Sequence, residues 1–164
     1  MSKYLRDLDK LRALLAYDPA TGLLHWKVRP SRRVRAGDLA GHVRDDGYRA
    51  IIVDGVAYYA HILGWAMTYG WAPPYLDHKD GDRDANRLSN LRPATKPQNG
   101  ANRRSGRNNT SGFKGVARHG SGWRAYVTIE RRRINLGTFA DPAMAHRAYV
   151  EAARLYSGEF ASGG

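Results

Sequence analysis

Apolar residues open the chain at helical spacing. Leu5, Leu8, Leu11, Leu14 and Leu15 share one side of a 3.6-residue turn, with Ser2 as candidate N-cap, which predicts a helix over residues 3–16. Asp18-Pro19-Ala20-Thr21-Gly22 then breaks the period into a turn. Leu23–Val28 reads as a strand and Pro30–Arg35 as a basic loop. Gly47–Val53 and Val56–Tyr59 flank Asp54-Gly55, the pattern of a β-hairpin with a two-residue turn. Helical spacing returns over Ala60–Tyr69, with Ile62, Trp65, Ala66 and Tyr69 on one face, and Pro73-Pro74 ends this unit.

The pattern changes at residue 76. Residues 76–103 are almost wholly polar up to a helix expected through Asn99 and Asn102, with few residues for a core of their own. Such a stretch is either solvated loop or an active site held by its neighbours. Residues 104–110 read as a linker. Beyond it, Gly112–Arg118, Trp123–Ile129 and Arg133–Leu136 read as three short strands, with Gly120-Ser121-Gly122 and Glu130-Arg131-Arg132 as turns. Asp141 caps a last helix with Pro142 at its first position, where a missing N–H costs nothing, and Gly158 stops it. Ala145, Ala148, Tyr149, Ala152 and Tyr156 form one face of that helix. In the second strand Ala125, Val127 and Ile129 alternate with Arg124, Tyr126 and Thr128, so one sheet face packs and the other is polar and basic. That face suits a DNA groove. The expected organisation is α+β: a supporting unit at 1–75, a polar motif at 76–103, the linker, and a three-stranded antiparallel sheet on one helix at 111–164.

Composition narrows the partners. Twenty-seven Lys and Arg face 15 Asp and Glu, a formal net charge of +12. A surface that basic attracts polyanions, so nucleic acid and anionic membrane lead. The apolar stretches around Tyr58–Tyr69 are interrupted and shorter than the roughly 20 residues a membrane span needs. The charged N-terminus lacks a signal-peptide core. The chain has no cysteine, which removes disulfides, thiolate nucleophiles and Cys-based zinc fingers together. An intracellular protein facing double-stranded DNA is the expectation, with no membrane role and with oligomeric state left open.

Chemistry concentrates at Asp77-His78, with asparagines following at Asn90 and Asn99. Phosphodiester hydrolysis needs a base to activate water and a Lewis acid to absorb charge on the phosphate and the leaving oxygen. Histidine titrates near neutrality, and Asp and Asn offer the oxygen ligands a hard cation prefers. Asp77-His78-Lys79-Asp80-Gly81-Asp82, then Asn86-Arg87-Leu88-Ser89-Asn90-Leu91-Arg92 and Asn99, resembles the HNH endonuclease motif of phage and intron-encoded enzymes, homing endonucleases among them. Tyr17–Trp26 and Ala60–Trp65 also resemble segments that precede the motif in phage members. The resemblance implies a ββα-metal (His-Me finger) fold, with His78 as general base and Asp77 and Asn99 as ligands of one divalent ion, Mg2+ or Mn2+. It gives Asn90 the role of bracing the loop and orienting the histidine. A phage-encoded enzyme acting in the host cytoplasm follows.

A second resemblance lies at the C-terminus. Ser111–Val116, Trp123-Arg124-Ala125, Leu136–Phe139 and Ala145–Tyr149 resemble the APETALA-type (ethylene-response-factor) DNA-binding domain, which lays a three-stranded sheet in the major groove. It implies that Lys114, Arg118, Arg124, Tyr126, Thr128, Arg133 and Asn135 face DNA, and Arg131 in the basic turn is expected on phosphate. Plant-family arginines are replaced at Ala117 and Thr128, so target preference does not carry over.

Plainer readings stand beside these. Asp80-Gly81-Asp82-Arg83-Asp84 lacks the glutamate that closes a calcium loop and is expected to shape its own turn. His61, at the start of a short helix, reads first as a structural histidine and second as a contact near the active site. Trp123 and Phe139 read as core anchors. The competing function is a DNA-binding protein without catalysis, in the manner of a transcription factor.

Overall fold

A computed structural model describes residues 3–102, 109–129 and 132–161. The fold is α+β and divides into two compact units, Met1–Ala94 and Thr95–Gly164. The division falls inside the polar 76–103 segment, between its paired strands and its helix. Most of the expected 104–110 linker lies outside the described residues. Among the described residues no helix is long and apolar enough to cross a membrane.

In the first unit, the leucine run supports two short helices, α1 (Lys3–Arg6) and α2 (Leu8–Leu14). The helical period does not carry through to residue 16. Leu15 leaves the helix to begin β1 (Leu15–Tyr17), which pairs antiparallel with β2 (Leu24–Trp26), Leu15 opposite Trp26. β3 (His42–Val43), β4 (Arg49–Val53) and β5 (Val56–Tyr59) form a sheet in that order. Asp54 (φ 48°) and Gly55 (φ 77°) are both left-handed, the type I′ geometry whose twist matches that of the strands it joins. α3 (Ala60–Tyr69) follows directly, ended by left-handed Gly70.

The expected face of α3 is corrected. Ala60, His61, Leu63, Gly64, Trp65 and Ala66 are buried, whereas Tyr69 is exposed and Ile62 half-buried. The helix is covered on more than one side, so a single amphipathic stripe misdescribes it. Leu11, Leu15, Leu24, Ile51 and Leu63 are fully buried and centre the core. The unit closes with a two-stranded ribbon of β6 (Leu76–His78) and β7 (Leu91–Pro93), a 3-10 turn at Leu88–Asn90 leading into β7.

The second unit begins with α4 (Lys96–Ala101). The Thr95 hydroxyl accepts from the Gln98 N–H, and the Gln98 side chain accepts from the Thr95 N–H, a complete capping box. β8 (Val116–His119), β9 (Gly122–Ile129) and β10 (Arg132–Phe139) form an antiparallel sheet in the order β10-β9-β8. β8 starts later than the sequence pattern suggests. α5 (Pro142–Ser157) is capped by the Asp141 carboxylate, which accepts from the Ala143 N–H. Its Ala145, Tyr149, Ala152 and Ala153 bury against Ala125 and Val127 of β9. Tyr156, expected on that face, is exposed; Ala153 takes its place.

Candidate active site

The β6–β7 ribbon sets the first geometry. Asp77 lies directly opposite Arg92, and His78 opposite Leu91. Arg92 donates from Nε at 2.9 Å and from Nη2 at 2.8 Å, both to Asp77 Oδ2. Both side chains are buried, so this is a desolvated ion pair with paired hydrogen bonds, the arrangement in which a buried charge pair holds. Strand alternation sends the neighbouring His78 to the other side of the ribbon. Adjacent in sequence, the two residues thus meet different partners. Their Cα atoms remain one peptide step apart, about 3.8 Å, and the Asp77 charge acts on the imidazole.

His78 is buried among aromatic rings. Its ring centroid is 5.0 Å from that of His61 and 5.9 Å from that of Tyr48, and Tyr48 stands 5.1 Å from His61. Nε2 lies 3.0 Å from Asn86 Oδ1. Burial pulls the His78 pKa below its ordinary value, against the opposing pull of the Asn86 bond and of Asp80, Asp77 and Asp82. The ring is therefore neutral at physiological pH, the state in which imidazole takes up a proton. His61 is driven further, down to about 3, by burial and then by His78. Its Nδ1 is buried and has no hydrogen-bond partner among the described residues. The structure thus brings His61 to the site, against His78.

The loop between the strands is fixed by its own polar groups. Asn90 Nδ2 donates to Asp80 Oδ1 at 2.9 Å and to the Ala85 carbonyl at 2.7 Å, while its Oδ1 accepts from the Asp80 N–H at 3.2 Å. The acidic run is consumed locally. Asp80 also accepts from the Asp82 N–H and from Arg87, and Asp82 accepts from the Asp84 N–H. Burial raises the Asp80 pKa, but the bonds from Asn90 and Asp82 and the Arg87 charge outweigh it, so the carboxyl sits below the ordinary range. Asp84 receives both Nε and Nη2 of Arg49, each at 2.9 Å. Arg83 stacks 5.0 Å above Tyr48 and donates to the Asp46 carbonyl.

Asn90 braces the loop, but the side chain bonded to the histidine is Asn86. Nothing in the linear pattern separates Asn86 from the other polar residues of 79–90; the pairing exists only once the loop has folded back. Arg92 and Arg49 escape notice for the same reason, since their partners lie 15 and 35 residues away. An arginine at the strand position facing Asp77 was the one available signal.

For a metal ion, no three His, Cys, Asp or Glu among the described residues converge. The Asp77 carboxylate is a hard-oxygen donor of the type a hard divalent ion takes, although both Arg92 bonds fall on its Oδ2. Asn99 lies half-buried on α4, in the second unit.

The residues expected on the β8–β10 sheet divide. Opposed pairs share a face, and Asn135 opposes Tyr126, Arg133 opposes Thr128, and Thr138 opposes Arg124. Arg124, Tyr126, Thr128, Arg133 and Asn135 therefore line the face away from α5, with the Arg133 guanidinium 4.2 Å above the Tyr126 ring and Arg124 bonded to His119. Arg118 opposes Trp123 and stacks 5.0 Å from its ring, on the side of Val116 and Ala125 that packs on α5. Lys114 lies 6.0 Å above the Tyr149 ring of α5, half-buried, its pKa lowered by burial to about 8. The register thus sets Arg118 on the α5 side, and Lys114, which precedes β8, lies against Tyr149. Arg131 lies outside the described residues.

Two likenesses bear on this geometry. Over 79 residues the chain is 37% identical to "Protein 3.8" of Escherichia phage T7, covering 46% of this chain and 65% of that protein. The chain thus spans less than two thirds of its phage relative. No solved structure matches the chain. A family model described as HNH endonuclease matches residues 58–101. The segment with the HNH endonuclease likeness is thus the one that builds the His61–His78–Asn86 cluster and the Asp77–Arg92 ribbon.

Proposed function

We propose that this chain is a metal-dependent endonuclease that hydrolyses phosphodiester bonds in double-stranded DNA. The observation that carries the reading is His78, a buried, neutral imidazole hydrogen-bonded through Nε2 inside the segment that resembles HNH enzymes. A neutral, oriented imidazole takes a proton from water at working pH and leaves a hydroxide to attack phosphorus. Asn90 keeps the loop around it in one shape.

Asp77 would offer its carboxylate oxygen to one divalent ion, Mg2+ or Mn2+, as the HNH likeness implies. Such an ion would supply Lewis-acid stabilisation of charge on the phosphate and on the departing 3′ oxygen. Cleavage on that side leaves 5′-phosphate and 3′-hydroxyl ends. The outer face of the β8–β10 sheet, with Arg124, Tyr126, Thr128, Arg133 and Asn135, would grip the duplex in the manner of an APETALA-type domain. The likeness to a phage protein supports an enzyme made by a phage and acting in the host cytoplasm.

The test is nicking or linearisation of supercoiled plasmid with Mg2+ or Mn2+, with and without chelator. His78→Ala should lower cleavage by roughly a hundredfold or more, the scale of a lost general base, while a mobility-shift assay shows binding nearly intact. Unchanged cleavage in that variant removes the assignment. Binding by the wild-type chain without metal-dependent cleavage would leave a DNA-binding protein of another class.

A further inference from the structure

We propose that Asn86 is a positioning residue that fixes the tautomer of His78, holding the proton on Nε2 and presenting Nδ1 as the nitrogen that receives a proton. This deepens the nuclease reading and rests on it. Asn86 Oδ1 stands 3.0 Å from His78 Nε2. A carboxamide oxygen only accepts, so Nε2 must carry the hydrogen. In a neutral imidazole the other nitrogen then holds the lone pair.

The amide cannot be turned round at no cost, because its other end is engaged. Asn86 Nδ2 donates to the Asp84 carbonyl at 3.0 Å and approaches Asp84 Oδ1 at 3.4 Å. A flip would set oxygen against oxygen there and N–H against N–H at the histidine. Asp84 is itself pinned by the two bonds from Arg49, and Asn86 is 1% exposed, so water does not compensate a broken contact. A buried hydrogen bond left unmade corresponds to roughly a ten- to hundredfold preference for the matched tautomer.

The backbone under Asn86 is clamped from the start of the chain. The Tyr17 hydroxyl donates to the Asn86 carbonyl at 2.8 Å, and burial, then Asp18 and Tyr69, raise its pKa to about 12, so it keeps the proton it donates. The Leu88 N–H donates to the Pro19 carbonyl at 2.9 Å. Gly22, left-handed at φ +79°, presses so close that a Cβ there would sit 2.1 Å from the Arg87 nitrogen. Gly64 leaves room for the Tyr17 ring, which a Cβ would meet at 2.6 Å. Tyr48 and His61 wall the imidazole on its other sides. The turn at 17–22 thus reaches His78 through one asparagine.

Nitrogen-15 NMR of the full chain tests this without reference to cleavage. His78 is assigned by its loss in His78→Gln and recorded at a pH where the ring is neutral. Wild-type protein should show a single tautomer with hydrogen on Nε2. Asn86→Leu should average the two nitrogen shifts and lower kcat about tenfold or more with little change in KM. A wild-type proton on Nδ1 overturns the proposal whether or not the variants fold, and so does a tautomer unmoved in Asn86→Leu. If the wild-type tautomer is as stated but no condition yields cleavage, the nuclease reading fails and the positioning stands.

Discussion

His61 carries a cost that the fold must meet elsewhere. A buried ring nitrogen without a partner is destabilising by about 1–3 kcal/mol, and His61 tolerates it only in the neutral form, since its pKa falls to about 3 from 6.5. The sign follows. Between those values the unfolded chain binds a proton that the folded chain refuses, so the contribution is complete above about 6.5 and is lost as pH falls toward about 3. The titratable rings facing it are His78, Tyr48 and Tyr59. His78 is also lowered and acts in the same direction, so the effect of His61 must be isolated by substitution. Urea unfolding of wild type and His61→Leu between about pH 6.5 and 4.5 should differ in slope by up to about 1.4 kcal/mol per pH unit, the wild type falling faster. Parallel lines would mean that His61 takes up its proton in the folded state.

At the scale of elements, the hairpin at 49–59, the start and end of α3, and the cap and stop of α5 were legible because each is local: turn residues and caps declare themselves within a few positions. The leucine spacing extends the N-terminal helix too far because Leu14 and Leu15 suit a helix face and a buried strand equally, and pairing with Leu24–Trp26 decides it. His78 and Asn90 were legible through their motif, whereas Asn86 depends on contacts made across 69 residues by Tyr17. The turn between β1 and β2 therefore has two duties, reversing the chain and backing the Asn86 loop. Gly22→Ala tests both. A Cβ there is strained at φ +79° and collides with the Asn86–Arg87 peptide. We expect a loss of roughly 2–4 kcal/mol in stability from strain and displaced backbone, read by urea unfolding. Cleavage at a temperature where the variant is folded should fall in parallel with the His78 tautomer signal. A variant of normal stability would show that the approach of the two loops is loose.

Across the whole molecule, charge is unevenly held. Of the net +12, residues 95–164 carry +8, from twelve Lys and Arg against four Asp and Glu, and residues 1–94 carry +4, from fifteen against eleven. Three acids of the first unit, Asp84, Asp80 and Asp77, are spent around the candidate site on Arg49, Arg87 and Arg92. The second unit has few acids to spend, and its sheet register puts Arg124 and Arg133 together on one face and Arg118 on the other, while Lys114, ahead of β8, lies against Tyr149 of α5. Salt dependence distinguishes these positions. Each cationic contact with a duplex phosphate adds about 0.9 to the slope of log K against log salt. Measured on the His78→Ala background, so that the substrate survives, replacing Arg124 and Arg133 by Ser should lower that slope by roughly 1–2 and weaken binding across sequences alike. Replacing Lys114 and Arg118 by Met and Gln should leave the slope nearly unchanged, since Arg118 lies on the α5 side of the sheet and the Lys114 ammonium over Tyr149 of α5. The reverse result would put the duplex on the α5 side of the sheet and exclude binding through the outer face.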